Sequence, residues 1–369
     1  MLLEVLSVGY WLGRGMPGAL YKSGMICGLV TLSVALAIIL GGMWIWVAIA
    51  VFAVATPFFD VLLERPKPYR SHSLNSAANP ATAWHTRLCY ALGLAHFAVL
   101  IIGLWAVSQT PFVDWQSLAL IGLMALYFGQ LSNAVAHELI HSPQRAAFHL
   151  GKWIYISLLI GHHTSAHRLI HHRFVATPKD PNSCQEEISF YRFFARAWPQ
   201  SYQQGRRAES ARNHVKLHPY TLYAYGHLAF LLSAFVAFGP SLFVVYLAVA
   251  VMAQVQLFLA DYVQHYGLAR RETAPGKYEP VGPAHAWDAP RGWSSPLLLG
   301  ATFHAAHHQH PGEAFDALHP AHQSPKLPLS LPVMSAVALF PRLWFALMTP
   351  RLARYQRQAQ AQTSRKEAA

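Results

Sequence analysis

Cysteine is scarce in this chain. Cys27, Cys89 and Cys184 are odd in number, no two are close, and two sit in apolar segments. That excludes a disulfide framework and a CxxC module for zinc or an iron–sulfur cluster. Charge is scarce too: 12% of the 369 residues are Asp, Glu, Lys or Arg, against about 25% in soluble domains. Acids are the fewest, 16 against 28 Lys and Arg. The net charge of +12 forms no groove-like stripe of the kind nucleic acid needs; it suits the basic cytoplasmic face of a membrane protein. No cleavable signal is expected, because Met1–Tyr21 lacks a basic start and a clean apolar core. No repeat, low-complexity tract or soluble linker divides the chain, so a single domain over residues 1–369 is expected.

What is abundant is apolar and aromatic: 54% hydrophobic residues, with 11 Trp, 16 Tyr and 20 Phe. The run from Gly24 to Phe59 is long enough for two crossings, since one takes about 20 residues, and Gly41-Gly42 at its middle permits a tight turn. In chain order the pattern predicts six helices, at about 24–40, 43–59, 88–107, 118–136, 220–238 and 242–260. Residues 137–219 and 261–350 then form a histidine-rich cap, and 355–369, rich in Gln, Arg and Lys, a flexible tail. Trp153–Ile160 is too short to span and is expected at the interface, while the prolines of Leu327–Met348 argue against a straight span. The short turns at Gly41-Gly42, Ser108–Trp115 and Gly239-Pro240 carry no Lys or Arg, whereas residues 137–219 carry eleven against five acids. The positive-inside rule places both termini and the cap in the cytoplasm. The expected fold is an all-α, multi-pass protein of a bacterial-type inner membrane.

The 22 histidines are clustered. His137-Glu138-Leu139-Ile140-His141 puts two imidazoles one turn apart on one helical face, at the end of the fourth span. As a bare string this is the HExxH of zinc proteases, with Glu138 as general base, but that use leaves the later histidines idle. Residues 162–172 hold five histidines. His167, His171 and His172 have HxxxHH spacing, His167 and His171 sharing a face with His172 beside them. His162 and His163 are expected to support rather than ligate, and the lone His149 to be a surface residue. His265 ends the sixth span at the depth of His137, and His304, His307 and His308 form HxxHH. Nine spaced histidines exceed one metal's coordination and suit two. Iron accepts imidazole and activates O2; two zinc ions could only serve hydrolysis. A non-catalytic metal-binding membrane protein stays open at this point.

These elements, in this order, resemble the integral-membrane fatty-acid desaturase and hydroxylase superfamily, and within it the membrane alkane monooxygenases, the rubredoxin-dependent alkane 1-monooxygenase family. Asp261–Leu268 is similar to their Asn-Tyr-x-Glu-His-Tyr-Gly-Leu element. Val175-Ala176-Thr177-Pro178-Lys179-Asp180-Pro181 is similar to their Val-Ala-Thr-Pro-Glu-Asp-Pro, and Ser189–Phe193 to their Ser-Phe-Tyr-Arg-Phe. The resemblance runs from about Asp60 to Trp344. It implies a di-iron, O2-dependent enzyme that converts the terminal methyl of a medium- or long-chain alkane to a primary alcohol. Electrons would come from rubredoxin and its reductase, or another small carrier. It implies His137, His141, His167, His171, His172, His265, His304, His307 and His308 as iron ligands. Ser142 stands where the family has Lys, Ala166 where it has Glu, Asp261 and Gln264 where it has Asn and Glu, and Ala305-Ala306 where it has Ser-Asp. These departures spare every ligand and change neighbours, so acyl-lipid desaturation or hydroxylation and methyl-aromatic hydroxylation stay open beside alkanes. Glu138 is expected to be functional, with Asp180 and Asp261 as further carboxylates beside the ligands.

Overall fold

A long apolar run satisfies its own backbone hydrogen bonds only as a helix. The computed structural model describes residues 18–63, 81–111, 114–212, 217–290, 292–321 and 323–367, and it is built almost wholly of helices. α1 (Gly18–Leu40) turns at Gly41 and Gly42, whose φ of 60° and 50° are left-handed values that suit glycine. The chain returns through α2 (Met43–Ile49), a π turn (Ala50–Ala55) and α3 (Thr56–Leu63). α4 (Ala81–Ser108) and α5 (Trp115–Tyr127) follow, and the Asp114 carboxylate caps α5 by accepting from Gln116 N–H at 2.9 Å. A second π turn (Phe128–Ser132) leads into α6 (Asn133–His141). α7 (Arg145–Ser157) folds back so closely that a Cβ on Gly151 would meet the Ala136 carbonyl oxygen at 2.8 Å.

The cap begins with α8 (His163–Ala166), a third π turn (His167–His171) and α9 (His172–Phe174). α10 (Phe190–Ser210) is amphipathic and buries Phe190, Phe193, Ala197, Ser201, Gly205 and Glu209, three or four residues apart. α11 (Pro219–His265) runs for 47 residues with a non-helical break at Gly239 (φ 77°) before Pro240. A small antiparallel ribbon, β1 (Glu272–Ala274) with β2 (Lys277–Tyr278), precedes α12 (Ser294–Leu297), α13 (His304–Gln309), α14 (Leu331–Ala338) and α15 (Pro341–Glu367). Residues 355–367, expected as a flexible tail, continue α15, in keeping with the helix propensity of their Gln, Arg and Ala.

Among the described residues, four helices are long and apolar enough to cross a membrane: Gly18–Leu40, Trp84–Ser108, Trp115–His141 and Pro219–His265. Six are expected from the sequence. The difference lies in the return of the first hairpin, whose apolar helix Met43–Phe52 is shorter, and in α11, continuous across the break at Gly239. Leu29, Ile39, Leu94, Ile101, Val236 and Val244 point outward, as on a surface that meets lipid, while Met124, Phe128, Val249 and Phe258 fill the interior. The basic residues Arg65, Lys67 and Arg70, between the expected second and third helices, lie outside the described residues, as does most of Met1–Tyr21.

Several polar groups inside the bundle are bonded to one another or to backbone. His96 joins Ser132 (2.9 Å) to Ser157 (2.7 Å), and Asn133 Nδ2 donates to the Gly129 and Ala253 carbonyls. The Tyr246 hydroxyl donates to the Ser157 carbonyl and Gln254 Nε2 to that of Leu158. These bonds pin the α6–α7 pair and the second arm of α11 together at the floor of the cap.

Candidate metal centre

The four histidine-bearing elements converge where α6 and α11 end. The nine spaced histidines fall into two groups, and within each the facing ring nitrogens lie within 4.8 Å of one another. His137, His141, His167, His172 and His307 make one group; His171, His265, His304 and His308 make the other. The groups adjoin, with ring centroids of His172 and His308 4.7 Å apart.

Local backbone explains how adjacent histidines divide. In an α-helix, residues five apart are rotated by roughly 140°, so His167 and His172 could not face one point. The π turn at His167–His171 winds more widely. It brings Nε2 of His172 to 2.9 Å from Nε2 of His167 and turns His171 to the other group. His167 and His171 are neighbours as expected, their ring centroids 5.2 Å apart, but they serve different groups, and the residue that shares the group of His167 is His172. In α13, His304 and His308 are one turn apart and face one group, while His307 faces the other.

The arrangement fits metal ions. Imidazole nitrogens bind such metals at about 2.0–2.1 Å, so two at right angles lie about 2.9 Å apart. Besides His167–His172 at 2.9 Å, close Nε2 pairs are His141–His167 at 3.1 Å, His172–His307 at 3.1 Å, His265–His304 at 2.9 Å and His304–His308 at 3.1 Å. Nε2 atoms of His137 and His171 are buried with no hydrogen-bond partner among the described residues. Burial, and then neighbouring imidazoles, hold His167, His172, His304, His307 and His308 well below the usual imidazole range. They are neutral, as a metal ligand must be.

The surroundings orient the rings. Nδ1–H of His171 donates to Asp180 Oδ2 at 2.8 Å, which turns the lone pair of Nε2 toward its group. Burial pushes His171 down, but the Asp180 carboxylate outweighs it and holds the imidazole above its ordinary value; His171 in turn holds buried Asp180 below its own. Asn182 ties the neighbouring carboxylates together, giving its backbone N–H to Asp180 (3.0 Å) and its Nδ2 to Asp261 (2.6 Å). Glu138 Oε1 accepts from His85 Nε2 at 2.8 Å and from Phe315 N–H at 3.1 Å, linking α4, α6 and the cap.

Two contributors carry no spacing signal in the sequence. His85 stands alone, and Asp288 sits in a loop. Asp288 is fully buried, accepts from Ala305 N–H (2.9 Å), Ser324 Oγ (2.6 Å) and Lys326 Nζ (2.9 Å), and so anchors the first turn of α13. The structure leaves His149 exposed. His162 packs against Trp198 and Tyr202, and His163 against Tyr155 and the His167 ring; neither joins a group. Ala166 lies against α10, where a Cβ on Gly205 would be 3.0 Å from its own.

Residues 113–337 match the family model described as fatty acid desaturase. The chain belongs to the fatty acid desaturase family. Among its curated relatives it is 32% identical over 270 residues to alkane 1-monooxygenase 1 of Alcanivorax borkumensis, covering 70% of this chain and 65% of that one. It is 28% identical to alkane 1-monooxygenase 2 of Pseudomonas aeruginosa, covering 85% of each. It is 27% identical to the xylene/toluene monooxygenase hydroxylase component of Pseudomonas putida, covering 84% of this chain and 82% of that one. The chain thus spans just under two thirds of the first of these relatives.

Proposed function

We propose that this family member is a membrane-bound, O2-dependent monooxygenase. Its reaction converts R–CH3, O2, two electrons and two protons to R–CH2OH and water, with a medium- or long-chain alkane as R–CH3. The observation that supports this most is the pair of adjoining groups of imidazoles, five and four, on a bundle with an apolar exterior. The nine histidines would hold two iron ions, which when bound would supply the one-electron chemistry needed to activate O2 against an unactivated C–H bond. The chain's own residues fix the proton of His171 on Nδ1 through Asp180 and hold α6 to the cap through Glu138. Glu138 is in this reading a positioning residue rather than a general base, its Oε1 being engaged by His85 and Phe315.

Electrons come from rubredoxin and its reductase or a comparable small carrier, for which the basic cap is an electrostatic dock. The bundle crosses an inner membrane six times with termini and site in the cytoplasm. Membranes containing the protein, supplied with that carrier pair, are expected to form 1-octanol from octane, and purified protein to hold two irons. No alcohol from octane, an acyl lipid or a methyl-aromatic would sink the proposal. A second reading, oxidation of a methyl group on an aromatic ring, is favoured by the likeness to the xylene/toluene monooxygenase component. A benzylic alcohol formed faster than octanol would select it.

A further inference from the structure

Beside the second histidine cluster, and outside both metal groups, a cavity of about 210 Å³ opens between α7, α8, the end of α10 and the start of α11. Three cations line it, Lys152, Arg168 and Arg212, against one carboxylate, Glu209. That carboxylate is already engaged: Ser165 Oγ donates to it at 2.6 Å, and Arg212 lies 3.9 Å away. Lys152 is 8% exposed, yet has no ion pair or hydrogen bond among the described residues. Thr164 Oγ1, in the cavity wall, is buried and also without a partner. Arg168 lies at the mouth with its guanidinium over the Phe148 ring at 5.0 Å.

A buried hydroxyl without a partner, beside the ammonium of a largely buried lysine that has no carboxylate of its own, is an arrangement that an anion with several acceptor oxygens would complete. The position narrows the anion. Pro219, Leu222 and Tyr223 in the lining open α11, and Trp153, Tyr225 and Leu228 are exposed nearby on α7 and α11. The cavity therefore stands at the level where an apolar span begins, the depth of lipid headgroups. Basic pockets between spans at that depth take anionic headgroups.

We propose that this pocket binds a phosphate group, presented by the headgroup of an anionic phospholipid, with Lys152, Arg168, Arg212 and Thr164 as its contacts. Thr164 and Arg168 lie on the α8–π-turn segment that carries His167, His171 and His172, so an occupied pocket also braces the ligand-bearing helix against α7. The proposal needs only the membrane placement of the bundle and no assumption about metal or substrate.

The full-length protein, reconstituted in phosphatidylcholine vesicles with or without phosphatidylglycerol, is to be recovered and its retained lipid counted by native mass spectrometry. The parent chain is expected to retain phosphatidylglycerol selectively. Lys152→Gln with Arg212→Gln, both off the ligand-bearing helix, should lose that selectivity, and Lys152→Arg should keep it. The conservative variant separates loss of charge from loss of fold. Protection of Lys152 from acetylation by inorganic phosphate in detergent, without lipid selectivity, would assign the site to free phosphate and overturn the lipid source. Equal retention by parent and double variant, with no phosphate protection, would overturn the site itself.

Discussion

At the scale of single residues, the second cluster separates function from composition. His149 and His171 are both histidines of the same polar segment, one exposed and one buried with its free nitrogen aimed at three others. His171→Ala is expected to lose metal and activity, and His149→Ala to keep both; equal metal content in the two variants would undo the ligand assignment. Asp180 acts through His171, so Asp180→Asn should leave the fold intact while lowering metal affinity or activity by roughly 10–100-fold. Titration of metal content against a chelator would measure this, and an unchanged curve would count against it. The protonation states add a pH test. Burial holds His167, His172, His304, His307 and His308 well below the ordinary 6.5 in the folded chain. The unfolded chain takes up those protons and the folded chain refuses them, so stability falls as pH drops below about 6.5. His171, held high, opposes this as one group against five. Chemical denaturation of metal-stripped protein should show the decline, and a flat profile would contradict it.

At the scale of elements, the decisive device is one that spacing alone does not show. HxxxH, HxxxHH and HxxHH are legible because imidazoles one turn apart share a helical face, and they single out eight residues, to which the end of the sixth span adds His265. The sharing of them between two groups was not legible. It depends on a π turn at His167–His171 that no local propensity marks; Asp288 and His85, equally silent in the sequence, meet the site only through the folded chain. The same holds for Ala166, a silent position in sequence that proves to be a contact point. A Cβ on Gly205 would lie 3.0 Å from Ala166 Cβ and 2.3 Å from the Tyr220 hydroxyl oxygen. Gly205→Ala should therefore push the ligand-bearing segment off α10 and destabilise the protein by about 1–3 kcal/mol. A lowered melting temperature with faster metal loss is the expected result; an unchanged one would mean that α10 yields without cost.

At the scale of the molecule, the question is how often the chain crosses the membrane, and contacts between distant elements bear on it. The start of α11 touches the second cluster, Tyr223 lying 2.8 Å from Ser165, while its end, His265, stands in the group that holds His171. Both ends of this 47-residue helix are thus on the cap side, so it leaves and returns, with Gly239 as the turning point. The first hairpin behaves alike: Asp60 at the end of the return accepts from Ser294 N–H at 2.8 Å, and Cys27 of α1 reaches the Pro296 carbonyl at 3.6 Å. With α4 and α5 joined by a lysine- and arginine-free turn, these contacts are what the proposed six crossings require, and each of the three turns that would lie opposite the cap lacks basic residues. Single cysteines at Gln109 and Ser241, in a chain with its native cysteines replaced, should react with a membrane-impermeant maleimide in intact cells. Cysteines at Gln144 and Gln358 should react only after the membrane is opened. Protection of Ser241→Cys in intact cells would mean that the break at Gly239 does not reach the outer surface, and would leave α11 as a re-entrant element beneath a four-helix frame.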